Sequence, residues 1–281
     1  MRVKLKKNGS IPSVQKELSE GTARKNGLQT AWESFCVAFS LYSAFPMPRV
    51  NWTKENMKYA FCFFPLIGAM IGGILILWLH FCQWMGFSLL FAAGATTLPV
   101  LLTGGIHMDG FCDVMDALGS HGTPEQRLEI MKDSRSGAFA IIGCVLCLLM
   151  TFALWDAFYQ HPTGAVFFLY PISRAISGWS VVYLRCAKGS GLAVTFADAA
   201  HKKMVAVIMA CYLLVCFAGM AWIAPFRALL CAVVFGLWYV YYREKSYGMC
   251  NGITGDLAGW FLVICELLGL SVLALIGGLL K

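Results

Sequence analysis

Long, nearly unbroken apolar runs along this chain alternate with polar stretches of two kinds, very short and long. A membrane-spanning helix needs about 20 mostly apolar residues. Runs of that kind cover residues 59–82, 85–103, 137–155, 165–184, 204–223, 226–242 and 257–280, so the pattern predicts seven spans. Residues 30–45 are apolar but short. They predict an interfacial helix that stops at Pro46 and Pro48. Residues 1–29 are polar and basic, with no apolar core and no small-residue cleavage site. They read as a disordered cytoplasmic lead rather than a signal peptide. Residues 30–281 then form one transmembrane domain, an all-α polytopic membrane bundle.

Composition sharpens this reading. Hydrophobic residues make up 59% of the 281 positions and charged residues 13%. A soluble domain averages about 25% charged residues, and a soluble fold of this size could not hide so much apolar surface. The formal charge is +7. In a soluble protein that would suggest a nucleic-acid partner; here topology explains it and no nucleic acid is expected. Most of the twelve Cys lie inside apolar runs, Cys144 and Cys147 among them. They are expected to pack as small hydrophobes rather than to bind metal or form disulfides.

The long polar stretches all fall on one side. That side carries ten basic residues up to Lys58, three in 104–136, four in 185–203 and two in 243–256. The short side has only Arg227 and Lys281, and Arg174 lies inside a span. The excess of Lys and Arg on the long side places the lead and the long loops on the cytoplasmic side of the membrane. The acids follow the same partition, apart from Asp156 and Glu266. A chain that gathers its chemistry at one face reads as an enzyme with a cytoplasmic active site rather than a carrier.

The densest polar stretch is Gly104-Gly-Ile-His-Met-Asp-Gly-Phe-Cys-Asp-Val-Met-Asp-Ala-Leu-Gly119. A helix from about His107 puts Asp109, Asp113 and Asp116 on one face over two turns. Three carboxylates so placed repel one another unless a cation lies among them. Hard oxygen donors favour Mg²⁺ or Mn²⁺ over Zn²⁺, and Mg²⁺ on carboxylates usually carries substrate phosphate. The plainer reading is a solvated acidic face. Against it, Met108, Phe111, Cys112, Val114, Met115 and Leu118 give the helix a buried side.

Groups suited to phosphate lie nearby. A short amphipathic helix over residues 124–131 leads into Lys132-Asp-Ser-Arg135, and Ser134-Arg-Ser-Gly137 opens the next span. A helix start with an Arg beside it is an anion site. Arg174 is about ten residues from its cytoplasmic end, roughly 15 Å, too deep to snorkel. It requires a partner, either an anionic substrate or Glu266 at matching depth in the last span. Asn251-Gly-Ile-Thr-Gly-Asp256 is a Gly-rich turn before that span, where Asp256 is an alternative helix N-cap.

These residues resemble a known family. The acidic stretch 104–116, then Glu129-Ile-Met-Lys-Asp-Ser-Arg-Ser-Gly137, then Gly252-Ile-Thr-Gly-Asp256 are similar to the signatures of the adenosylcobinamide-GDP ribazoletransferase (cobalamin synthase) family. Phe45-Pro-Met-Pro48, Phe64-Pro-Leu-Ile-Gly68 and Ser173-Arg174 add to the similarity, which runs from about Trp32 to the C-terminus. The chain departs from the pattern at Asp116-Ala117, where Asp-Gly is usual, and at Ala187-Lys-Gly-Ser190, which leaves Lys188 without a matched role. The resemblance implies Mg²⁺-dependent transfer of the adenosylcobinamide phosphate group from adenosylcobinamide-GDP to α-ribazole, or its 5′-phosphate, with release of GMP, late in vitamin B12 assembly. It implies Mg²⁺ on Asp109, Asp113 and Asp116, with Asp133 a fourth ligand or general base. Lys132, Arg135 and Arg174 are expected at the pyrophosphate, and Asp256 at the metal or the nucleophile. His107, Ser134, Asn251 and Thr254 lie in the matching motifs and are expected at the substrate. Self-association, or association with other cobalamin-assembly enzymes, is a further expectation.

Two rivals stand beside this reading. A CDP-alcohol transferase also uses spaced Asp residues at a membrane face, but its motif has Ala-Arg after the first acids and a distal acid pair that this chain lacks. A secondary transporter would need midplane charges and broken helices, and only Arg174 and Glu266 qualify.

Overall fold

The computed structural model of the chain describes residues 26–187 and 192–279. Helix α1 (Gly27–Tyr42) and the one-turn α2 (Lys54–Met57) precede a 3-10 turn, Ala60–Phe63, that runs into α3 (Phe64–Met85). Then come α4 (Ser88–Leu102), α5 (Ile106–Gly119), α6 (Pro124–Ile130), α7 (Ala138–Gln160), a 3-10 turn at Gly164–Phe168, and α8 (Leu169–Tyr183). The chain ends through α9 (Leu192–Ala199), α10 (Lys202–Ile223), α11 (Pro225–Cys250) and α12 (Gly255–Leu279). Most of the lead and Lys188 lie outside the described residues.

Six stretches are long and apolar enough to cross a membrane: Ala60–Met85, Ala138–Gln160, Gly164–Tyr183, Lys202–Ile223, Pro225–Cys250 and Gly255–Gly277. The seventh expected span is a bent pair, with α4 and α5 meeting at 92°. At 1.5 Å per residue the 15 residues of α4 reach about 22 Å, short of a hydrocarbon core of about 30 Å. Gly104 and Gly105 make the corner at φ +64° and +78°, in the left-handed region that glycine enters without penalty.

The hydropathy pattern misplaces two boundaries. The span expected over 226–242 continues as helix to Cys250, so Arg243, Glu244 and Lys245 lie on a helix and not in a loop. Likewise α7 runs to Gln160, which puts Asp156 within a helix rather than in an outer loop. Hydropathy marks where apolar surface stops, whereas Arg, Glu, Lys and Gln all continue a helix readily.

The stretch Gly164–Tyr183 is mostly buried, while α10 and α11 turn most of their surface outward. Leu214, Trp222, Leu229 and Leu237 are accordingly exposed, as suits a lipid-facing surface. Helices α3 and α8 cross closely. A Cβ at Gly68 would sit 2.5 Å from the Tyr170 carbonyl, and one at Gly72 would strike that of Phe167. Small residues four apart permit this backbone approach. Helix α12 packs against α5, α7, α8 and α11, and so ties the acidic helix to the centre of the bundle. All twelve Cys are free.

Candidate active site

Helix α5 carries the acidic stretch. Gly110, Phe111, Val114 and Ala117 form its buried face, while Asp109 is exposed and Asp113 and Asp116 are half-buried on the other. The buried face lies on the first turns of α12. A Cβ at Gly110 would come within 2.9 Å of the Asp256 backbone, and one at Gly259 within 3.0 Å of the His107 carbonyl. This contact brings Asp256 to Asp109 across the helix interface, where the two carboxylates repel. Asp109 thus lies toward Asp256, with Asp113 one turn further along α5, and no three His, Cys, Asp or Glu groups among the described residues converge as a formed metal cage.

Asp116 is differently engaged. Its Oδ2 accepts from the Gly137 N–H at 2.5 Å, and its Oδ1 from the Ala140 N–H at 2.8 Å. It is the anion at the start of α7, supplied from within the chain rather than by a ligand. Gly137 is required here, since a Cβ would lie 2.7 Å from Asp116 Oδ1. The sequence suggests the anion site but not its occupant, because the two residues are 21 apart.

The α6–α7 connection stays at the surface. Arg135 Nη2 donates to Asp133 Oδ2 at 2.7 Å, and the Arg135 side chain is 88% exposed. That pairing holds the Arg135 guanidinium above its usual pKa. Lys132 and Ser134 are also exposed. Thr254 takes the capping role considered for Asp256: its Oγ1 accepts from the Leu257 N–H at 3.2 Å, and Asp256 sits in the first turn. Asn251, at φ +57°, ends α11, and its carbonyl accepts from Arg185 Nε at 3.0 Å.

Two expected substrate contacts point inward. Arg174 is buried and donates through Nη1 to Glu266 Oε1 at 2.6 Å, while the Ser173 hydroxyl donates to the same oxygen at 2.9 Å. His107 is buried beside Tyr42 and Phe64. Both line an interior cavity of about 70 Å³ with Thr96, Thr103, Thr151 and Glu266. None of the α5 carboxylates borders it.

Sequence reasoning passed over Arg127. It is the one basic residue of α6, a helix whose orientation is set by a capping box: Gln126 N–H donates to Thr123 Oγ1 and Thr123 N–H to Gln126 Oε1. The motif Thr-x-x-Gln before a short helix was the available signal.

Residues 34–274 match the family model described as cobalamin-5-phosphate synthase. The chain is 42% identical over 241 residues to an adenosylcobinamide-GDP ribazoletransferase of Lachnoclostridium phytofermentans, covering 85% of this chain and 92% of the relative. It is 32% identical to the protein of that name from Clostridium perfringens strain 13, over 87% of this chain and 98% of the relative. With the one from Pseudomonas syringae pv. syringae it shares 34% identity over 80% and 91%. No solved structure matches. A helical membrane bundle with three carboxylates on α5 and a fourth at the start of α12, matched along most of its length, this chain belongs to the cobalamin-5-phosphate synthase family.

Proposed function

We propose that this chain is an adenosylcobinamide-GDP ribazoletransferase with its active site at the cytoplasmic membrane face. The observation that carries the activity is the family match over residues 34–274, with the 42% identical relative of that name. The location rests on the surplus of Lys and Arg on the side that holds α5 and α6.

The residues fit Mg²⁺. Asp109 and Asp113 stand one turn apart on α5 and Asp256 faces Asp109, a set of hard oxygen donors whose mutual repulsion a divalent cation relieves. Asp109 and Asp113 would hold the ion, and Asp256 would complete the site or serve the nucleophile. Asp116 supports them by fixing α5 to α7. When bound, the ion supplies charge stabilisation to the phosphoryl oxygens.

In the reaction, the ribose 3′-hydroxyl of α-ribazole, or its 5′-phosphate, forms a bond to the cobinamide-side phosphorus, and the bond from that phosphorus to the bridging oxygen breaks. The bridging oxygen leaves with GMP. The hydroxyl proton passes to a carboxylate, and the half-buried seat of Asp256 against α5 supports that role for it. Little covalent work falls to the protein. Positioning and charge stabilisation dominate such transfers. Lys132, Ser134 and Arg135 lie on an exposed segment where they can meet the nucleotide.

The test offers purified protein either adenosylcobinamide-GDP with α-ribazole or a CDP-alcohol with a polyol acceptor. GMP release from the first pair alone supports the reading. CMP release from the second would overturn it.

A further inference from the structure

Arg127 differs from the other arginines described at this face, of which Arg49 is exposed. Arg135 is committed to Asp133 and Arg243 to Glu244, while Arg185 donates to the Asn251 carbonyl and lies over the Tyr247 ring. Deeper in, Arg174 is committed through Nη1 to Glu266, and its Nε, like that of Arg127, has no hydrogen-bond partner among the described residues. The Arg127 side chain is half-buried, and its Nε is enclosed yet has no hydrogen-bond partner among the described residues. A guanidinium N–H withdrawn from water without an acceptor is costly, and an anion arriving there would satisfy it.

Its position fits such an arrival. Helix α6 packs against the end of α11 and against α5. Cys250, the last residue of α11, lies within electrostatic reach of both Arg127 and Asp256. Asp256 in turn abuts α5 beside Asp109. Arg127 therefore sits on a helix packed directly against α5, the helix that carries Asp109 and Asp113. The capping box and Pro124 at the first turn fix the backbone of α6 from which Arg127 projects.

We propose that Arg127 is a substrate-binding residue that takes the diphosphate of the nucleotide-linked donor. The planar guanidinium matches phosphate oxygens with two parallel N–H donors, and its charge offsets the anionic group beside the carboxylates. The assignment rests on the ribazoletransferase reading and adds to it a recognition residue for the diphosphate.

The experiment measures steady-state GMP release by wild type, Arg127→Gln and Arg127→Lys in the presence of Mg²⁺, varying each substrate in turn. Wild-type release comes first: if there is none, the ribazoletransferase reading falls and this assignment with it. Given wild-type release, Arg127→Gln is expected to raise the KM for adenosylcobinamide-GDP about 10- to 100-fold, the scale of a lost charged hydrogen bond, and to leave the KM for α-ribazole unchanged. Arg127→Lys should recover part of the loss by restoring the charge. An unchanged donor KM in Arg127→Gln overturns the assignment alone. So does an equal rise in both KM values, or failure of both variants to accumulate in the membrane, since either marks a structural role.

Discussion

Arg174 on α8 and Glu266 on α12 form an ion pair in the interior of the bundle, 2.6 Å between Nη1 and Oε1, with Arg174 1% exposed. The guanidinium also lies near the rings of Phe64 and Tyr170, and Nη1 donates to the Tyr170 carbonyl at 3.2 Å. The depth match seen in the sequence corresponds to this contact, and it leaves Arg174 turned away from the carboxylates of α5. Removing one partner strands a charge, which typically costs about 3–5 kcal/mol, whereas removing both does not. Arg174→Met and Glu266→Met should each lower thermal stability in detergent, and the double variant should recover much of the loss. Losses that simply add would show that the pair contributes nothing as a pair.

Asp116 invites a contrast with its neighbours on the same helix face. Its carboxylate closes the first turn of α7, so Asp116→Ala should destabilise the protein by about 1–2 kcal/mol, read as a lower Tm. Gly137→Ala should do the same, because the added Cβ meets Asp116 Oδ1. Unchanged melting in both variants would contradict the capping role.

Asp109→Asn and Asp113→Asn make the opposite prediction. The apolar spans set insertion, so insertion and Tm should hold. Turnover should fall at least about 100-fold, the scale of a lost electrostatic contribution to the transition state. Near-normal kcat in both would reduce this face to a solvated acidic surface.

Much of this was legible in the chain. The apolar runs locate the spanning helices, and Gly104-Gly105 marks the corner before α5. Residues 124–131 are readable as a short helix because Thr123, Pro124 and Gln126 signal its start locally. What remained hidden depends on contacts between distant residues. Asp116 looks like a third member of an i, i+4, i+7 carboxylate face until Gly137 is seen to close on it. Arg127 looks like one more surface cation until α6 is docked on α11. The ends of α7 and α11 were missed for a different reason: hydropathy reports the apolar layer, and helices extend beyond it.

Orientation follows from the charge partition and has its own check. A reporter inserted at Gly122, between α5 and α6, should register as cytoplasmic, and one at Thr163, beyond α7, as external. The reverse result would move the carboxylate face to the outside and remove it from a nucleotide-linked substrate.

The most direct test of the account is GMP release by the purified protein in lipid nanodiscs, with adenosylcobinamide-GDP and α-ribazole, before and after chelation of divalent cations. The account predicts one GMP per corrinoid product, loss of release on chelation, restoration by Mg²⁺, and no restoration in Asp109→Asn. Release that persists without divalent cations, or that Asp109→Asn sustains at the wild-type rate, would contradict it.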